Sequence, residues 1–277
     1  MTSIAAPTVT GVDTHAHIFE RGLPLAGSRR YSPDYDARVT QYLAHLDRCG
    51  LSHGVLVQPS FLGTDNHYMV EALRRYPQRL RGTAVVERDI GAGELDALAE
   101  AGVVGIRLNL IGKTPEDYRS APWQALFGEL ARRGWSVEVQ RGIDDVASVI
   151  TPILASGVAV VVDHFGLPKG AIDPDEPAHR ELLALVAHEN LWVKLSATYR
   201  CAATPEQARV SIARLCEAYG HGERLLWGSD WPHTRFEAQT DYEAQFSLMQ
   251  TLLPDTDVRQ RILVENPARL FKIDRSM

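Results

Sequence analysis

The chain has 277 residues, 45% hydrophobic and 23% charged, with a formal net charge of −6. Its basic residues cluster no further than the pairs Arg29-Arg30, Arg74-Arg75 and Arg132-Arg133, which argues against nucleic acid as a partner. No run of about 18 apolar residues is present to span a bilayer, so no membrane association is expected.

Cys49, Cys201 and Cys216 are odd in number and form no CxxC pair, so a disulfide framework is not expected and the thiols should be inert. Met1 to Pro7 is too short and too weakly apolar for a signal peptide. These features together point to a cytoplasmic protein. Oligomeric state leaves no sequence signature here.

Taken in chain order, apolar β-branched runs alternate with segments of helical period. The strands are expected at Val9 to Ile18, His53 to Ser60, Leu80 to Glu87, Val103 to Leu110, Ser136 to Gln140, Val158 to Phe165, Leu191 to Ala197 and Arg224 to Trp231. Helices are expected at Val39 to Cys49, Asn66 to Tyr76, Glu94 to Ala101, Pro122 to Arg133, Asp144 to Ala155, Pro177 to Glu189 and Pro205 to Tyr219. Tyr242 to Leu253 and Asp257 to Phe271 close the chain. Start and stop signals support several, such as Asp65 before the second helix, Pro122 opening the fourth and Gly134 ending it.

Eight strand–helix repeats predict one parallel sheet closed into a (β/α)8 barrel of the TIM type, somewhat distorted. An open doubly wound sheet is the competing fold. No linker or low-complexity tract divides the chain, so residues 1–277 read as a single domain. The irregular stretches Glu20 to Asp36 and Pro168 to Asp175 follow the first and sixth strands and are expected as lids over the C-terminal face.

In such a barrel the chemistry sits at the carboxyl ends of the strands. There the sequence places His15 and His17, then Gln58 and Ser60, Arg107 and Asn109, Glu138 and Gln140, Asp163 and His164. Lys194, Ser196, Tyr199 and Arg200 follow, then Ser229, Asp230 and His233. Polar groups at buried strand ends are costly unless paired, so this density points to a site.

The first and eighth strands are neighbours in a closed barrel, which brings Asp230 beside His15 and His17, with His164 across the mouth. Three imidazoles and a carboxylate can hold a divalent metal. They can equally act unaided, the imidazoles polarising a carbonyl while the carboxylate takes a proton from water. Taken singly, each has a plainer reading: His17 as a satisfied core histidine, Asp230 as a turn cap.

The HxH pair, His164 in Val162-Asp163-His164-Phe165-Gly166, and Asp230 in Trp227-Gly228-Ser229-Asp230-Trp231-Pro232-His233 resemble the amidohydrolase superfamily, in its TIM-barrel branch of metal-dependent hydrolases. Arg30-Tyr31-Ser32-Pro33, Gln58-Pro59-Ser60, Gly63-Thr64-Asp65-Asn66, Gly105-Ile106-Arg107 and Val193-Lys194-Leu195-Ser196 resemble, more narrowly, the 2-pyrone-4,6-dicarboxylate lactonase group. The similarity runs from about residue 9 to residue 271.

The resemblance implies hydrolysis of a small anionic lactone bearing carboxylates, without a required metal. By position it implies Asp230 as general base and His15, His17 and His164 as carbonyl-polarising groups. Arg107, Arg200, Ser60 and Tyr31 would bind the substrate's anionic groups, and His233 would contact substrate or support those that do.

If a metal were bound, zinc or manganese on His15, His17, His164 and Asp230 is the alternative. A sugar-acid lactonase, a metal-dependent hydrolase or decarboxylase, and a barrel that only binds an anion or a partner protein are the competing functions. Decarboxylases of the superfamily tend to carry a further histidine where this chain has Ser196.

The plainer readings are a structural ion pair for Arg107, a solvated loop charge for Arg200, a turn hydroxyl for Ser60 and loop packing for Tyr31. Lys194 reads as structural. His45, His53, His67, His179, His188 and His221 are expected on solvated surface away from the mouth. After His164-Phe165-Gly166 the group tends to have an arginine, whereas this chain has Leu167 and Pro168-Lys169. Charge after the fourth strand is likewise reduced, to Lys113, and both departures imply fewer or differently placed substrate carboxylates.

Overall fold

A computed structural model describes residues 8–220 and 222–274, so the expectations for residues 1–7 and for His221 lie outside the described residues. The strands are β1 Val12–Ala16, β2 His53–Val57, β3 Leu80–Ala84, β4 Val103–Asn109, β5 Ser136–Gln140, β6 Ala159–Val162, β7 Leu191–Ser196 and β8 Leu225–Gly228. They pair in parallel in the order β1 to β8. Runs such as Ala159-Val160-Val161-Val162 are apolar on both faces because side chains fill the barrel on one side and helices cover the other.

The helices are α1 Val39–Arg48, α2 His67–Arg75, α3 Ala92–Glu100, α4 Ala121–Arg132, α5 Ile143–Leu154, α6 Pro177–Leu185, α7 Pro205–Tyr219 and α8 Tyr242–Leu252. Their ends follow local chemistry. Thr204 Oγ1 accepts from Gln207 N at 3.2 Å while Gln207 Oε1 accepts from Thr204 N at 2.9 Å, a reciprocal cap on α7. Gly220, at φ 60°, ends the same helix in the left-handed region that favours glycine.

The barrel closes through two backbone hydrogen bonds, His17 N to Trp231 O at 2.7 Å and Asp230 N to His15 O at 2.8 Å. The competing open sheet is thereby set aside. Closure requires Gly228, where a Cβ would meet His15 Cβ at 2.5 Å. It is reinforced by the buried Asp13, whose Oδ1 accepts from Ser229 N at 2.8 Å and His15 N at 3.1 Å. Asp13 Oδ2 accepts from Ser229 Oγ at 2.6 Å and Tyr242 Oη at 3.1 Å, tying β1 to β8 and α8.

The expected final helix is continuous but changes hydrogen-bond register in its middle. It runs as α9 Thr256–Gln260, a π segment Arg261–Glu265 and α10 Asn266–Leu270. Pro267 has no N–H to give, and Asn266 turns inward to donate to Gly222 O and Leu225 O at 2.9 and 2.8 Å.

The strands are also shorter than the sequence suggests, because their last residues leave the ladder to build the site. Ser60 and His164 sit in 3-10 turns. Of the two expected lids, 20–36 covers the mouth, but no residue of 168–175 lines the cleft. That stretch is tied down beside α7, with Gly170 N donating to Cys201 O and Ile172 N to Ser211 Oγ.

His53 and His179 are buried rather than solvated. His53 Nδ1 meets Ser52 Oγ at 2.8 Å at the foot of β2, and His179 Nδ1 accepts from Asp173 N at 2.8 Å; short polar partners let both enter the core. His45 is half-buried, stacked on Tyr242. None of them lines the cleft. The three cysteines are free, and burial pushes the Cys201 thiol up to about 12.

Candidate active site

His15, His17, His164 and Asp230 meet at one point at the C-terminal end of the barrel. Asp230 Oδ1 lies 3.7 Å from His15 Nε2, 3.7 Å from His17 Nε2 and 3.9 Å from His164 Nε2. His15, His164 and Asp230 are wholly buried, and His15 Nε2, His164 Nε2 and Asp230 Oδ1 lack hydrogen-bond partners among the described residues. Three side chains around this point hang on strained backbone: His164, Asp230 and His233 have φ of 51°, 61° and 61°. Such conformations each cost on the order of 1–3 kcal/mol and persist where the surroundings enforce them.

The far nitrogen of each imidazole is fixed by a partner. His17 Nδ1 lies 2.7 Å from Val57 O, which can only accept, so this nitrogen carries the proton and Nε2 presents a lone pair. Burial lowers the His17 pKa to about 4, so the ring is neutral near pH 7. His164 Nδ1 meets Ser196 Oγ at 2.8 Å, and burial again keeps the ring neutral.

His15 differs. Its Nδ1 lies 3.2 Å from Glu138 Oε1 and 3.3 Å from Asp163 Oδ1. Burial alone would depress its pKa, but Asp163 and then Glu138 outweigh burial and the nearby Lys194, and the shift is upward.

Beneath His15 lies a fully buried ionic layer. Lys194 Nζ, wholly inside, contacts Glu138 Oε2 and lies 3.6 Å from Asp163 Oδ1. Arg107 approaches from β4, its Nη2 3.7 Å from Asp163 Oδ2 and 2.9 Å from Gln140 Oε1, its Nη1 3.2 Å from Gln58 O. Two acidic side chains thus face two basic ones, the pairing that burial of charge demands.

Asp230 Oδ2 is gripped from the other side. It accepts from Arg200 Nε at 2.5 Å and Tyr199 Oη at 2.6 Å. Burial would raise its pKa, but the Arg200 guanidinium beside it holds the carboxyl well below its ordinary value. Arg200 also donates to Thr234 O at 3.2 Å and lies over the Phe236 ring at 5.2 Å.

Above this point opens a cleft of about 210 Å³, with His17 and Asp230 at its base. Arg107, Arg200, Ser60 and Tyr31 line it. The Tyr31 and Tyr35 hydroxyls both donate to Glu237 Oε1, at 2.5 and 2.9 Å, which ties the loop after β1 to the loop after β8. His233 does not line the cleft. It is buried behind Tyr199, whose hydroxyl meets its Nδ1 at 3.0 Å, because the chain turns back sharply after Asp230.

Sequence reasoning set Tyr199 among the strand-end polar residues without giving it a role, and it did not place Arg30 or Arg235 in the site. Tyr199 adjoins Arg200 and its role could have been found from that position, and Arg30 stands in the quoted Arg-Tyr-Ser-Pro motif. Arg235 carried no signal.

His15, His17 and Asp230 bring ligand atoms within 4.8 Å of one another and could hold a divalent cation, while His164 falls in a second such set with His15 and Asp163. Asp230 Oδ1 stands 3.7, 3.7 and 3.9 Å from the three ring nitrogens, wider than the roughly 3.4 Å spacing implied by metal–ligand bonds of about 2.1 Å in a tetrahedron.

The amidohydrolase family model matches residues 12–273. The chain is similar to a 2-pyrone-4,6-dicarboxylate hydrolase of Comamonas testosteroni, 32% identical over 94% of this chain and 89% of that protein. It is similar to the structure of a candidate 2-pyrone-4,6-dicarboxylic acid hydrolase from Pseudomonas putida, 40% identical with a TM-score of 0.89, covering 96% of this chain and 98% of that one. A further candidate hydrolase of this kind, from Acinetobacter baumannii with citric acid bound, is 34% identical with a TM-score of 0.90, covering 95% and 99%.

Proposed function

We propose that this chain, which belongs to the amidohydrolase family, is a lactone hydrolase that opens a small carboxylated lactone akin to 2-pyrone-4,6-dicarboxylate by attack of water on the ester carbonyl. The observation that carries the reading is the unpartnered Asp230 Oδ1, facing three imidazole nitrogens at the base of an arginine-lined cleft.

Asp230 is the group that takes the proton from water. Arg200 and Tyr199 occupy Oδ2, so the carboxylate is oriented and only Oδ1 is available as base. The same grip makes it a weak base, and proton removal must therefore keep pace with activation of the carbonyl. His15 is the imidazole suited to that task, since its carboxylate partners favour a proton on both ring nitrogens and Nε2–H can donate to the forming oxyanion. His17 and His164, with their far nitrogens held, shape the pocket around that oxygen. Arg107 and Arg200 present planar forks to the substrate's carboxylates, helped by Ser60 and Tyr31.

A second reading is favoured by the lone pair that His17 Nε2 turns toward Asp230. A zinc or manganese ion held by His15, His17, His164 and Asp230 would supply Lewis-acid polarisation of the same carbonyl.

Protein treated with chelator and assayed on a panel of carboxylated lactones separates the two. Retained turnover is expected for the cation-free version, and strict restoration by added zinc or manganese would replace it with the second. No opening of any lactone in either condition would refute the reaction itself.

A further inference from the structure

Four guanidinium groups line the cleft, and they are not equivalent. Arg107 is answered by Glu138 and Asp163 in the buried layer, and Arg200 by Asp230. Arg30 and Arg235 have no carboxylate within 4.0 Å among the described residues. Arg30 donates only to Asn109 Oδ1, at 3.3 Å. The nearest acid in sequence to Arg235 is Glu237, and its Oε1 is taken by Tyr31, Tyr35 and the Arg235 backbone N–H.

Like charges gathered at one cleft repel, and Arg30 records this: burial, then Arg235, Arg107 and Arg200, lower its pKa. A wall that holds two unanswered cations beside two answered ones is suited to an incoming anion. The two arginines reach it from the loops after β1 and β8.

We propose that Arg30 and Arg235 form a second anion subsite at the mouth of the cleft, which takes a further carboxylate of a ring-shaped dicarboxylate. The subsite accounts for the apolar Leu167 in the cleft lining after β6, because the positive charge is supplied from the loops after β1 and β8. Only the identity of the ring rests on the lactone reading above.

The test uses probes that cannot be hydrolysed: benzene-1,3-dicarboxylate and benzoate, titrated calorimetrically into the full chain and into an Arg30→Gln/Arg235→Gln double variant whose fold is checked by circular dichroism. The parent is expected to bind the dicarboxylate about tenfold more tightly than benzoate, the worth of one charge-assisted contact. The double variant should lose about that factor on the dicarboxylate while benzoate stays within about twofold, and Arg→Lys at both positions should recover part of it.

A preference that survives in the double variant, a parent with no preference, or an equal loss on both probes overturns the subsite. Because binding is read apart from turnover, a chain that opens no lactone but shows this pattern keeps the subsite and loses the reaction. A chain that opens lactones without the pattern does the reverse.

Discussion

Replacing Asp13 tests whether barrel closure and catalysis share one carboxylate. In Asp13→Ala four donors lose their acceptor: Ser229 N, His15 N, Ser229 Oγ and Tyr242 Oη. The hydroxyls can turn elsewhere, and Ser229 Oγ already lies 3.4 Å from His15 O, but the two amides cannot. At about 1–3 kcal/mol for each buried unsatisfied donor, the loss is about 2–6 kcal/mol, a large part of an ordinary domain's stability.

Asp13→Asn keeps an acceptor for the amides and should cost only about 1 kcal/mol. The pH dependence distinguishes the carboxylate from its shape. Burial raises the Asp13 pKa against its four hydrogen bonds, so between the unfolded value and the raised one the native state binds more protons. Wild-type stability from this group is therefore greatest below the unfolded value and falls as pH climbs through the window, by at most about 1.4 kcal/mol per unit. The Asn variant lacks that loss, so its deficit should shrink as pH rises above 4. Urea unfolding across pH 4–8 reads this directly. Turnover of Asp13→Ala should fall as well, because Ser229 positions Asp230. An alanine variant within about 1 kcal/mol of wild type and fully active, or an Asn deficit that grows with pH, would refute the reasoning.

Asp230→Asn should reduce turnover by about 10²–10⁴-fold, the usual worth of a positioned base, with substrate binding still measurable; near-normal kcat rules out its role. Lys194→Met leaves Glu138 and Asp163 short of a cation inside the barrel and should destabilise by about 3–5 kcal/mol in urea melts, even though Lys194 touches no part of the cleft. Burial holds His53 and His233 neutral down to about pH 4, so stability should decline as pH falls from 6.5 toward 4 while the unfolded chain takes up their protons. A His53→Gln variant should flatten part of that slope at full activity, and an unchanged slope excludes the contribution. Tyr31→Phe should raise KM more than it lowers kcat, by loosening the tie to Glu237, and an effect on kcat alone contradicts this.

The barrel was legible because both strand faces and the helix period leave marks in residue type, and the four convergent side chains because alternate positions at strand ends point one way. The ionic layer was only half legible. Glu138, Asp163 and Lys194 could each be placed at a strand end, but nothing local says that they neutralise one another. Arg107 shows the difficulty: it is an ion-pair member of that layer and at the same time lines the cleft, so residue type alone does not separate the two readings. His233 read either as a substrate contact or as a support for the groups around it, and the turn after Asp230 carries it behind Tyr199, against that hydroxyl. Histidines expected outside entered the core because a single short-range partner sufficed for each.

The ionic layer has a consequence for how such a barrel can change its diet. Glu138, Asp163, Lys194 and Arg107 sum to zero formal charge. The layer therefore adds little net charge beneath the mouth, and on the proposed subsite the charge left unanswered there comes from Arg30 and Arg235 in the loops after β1 and β8. Those loops can be rewritten without disturbing the proton balance around His15, so new anions, or uncharged rings, could be adopted by substitutions at the rim while the reacting groups stay as they are.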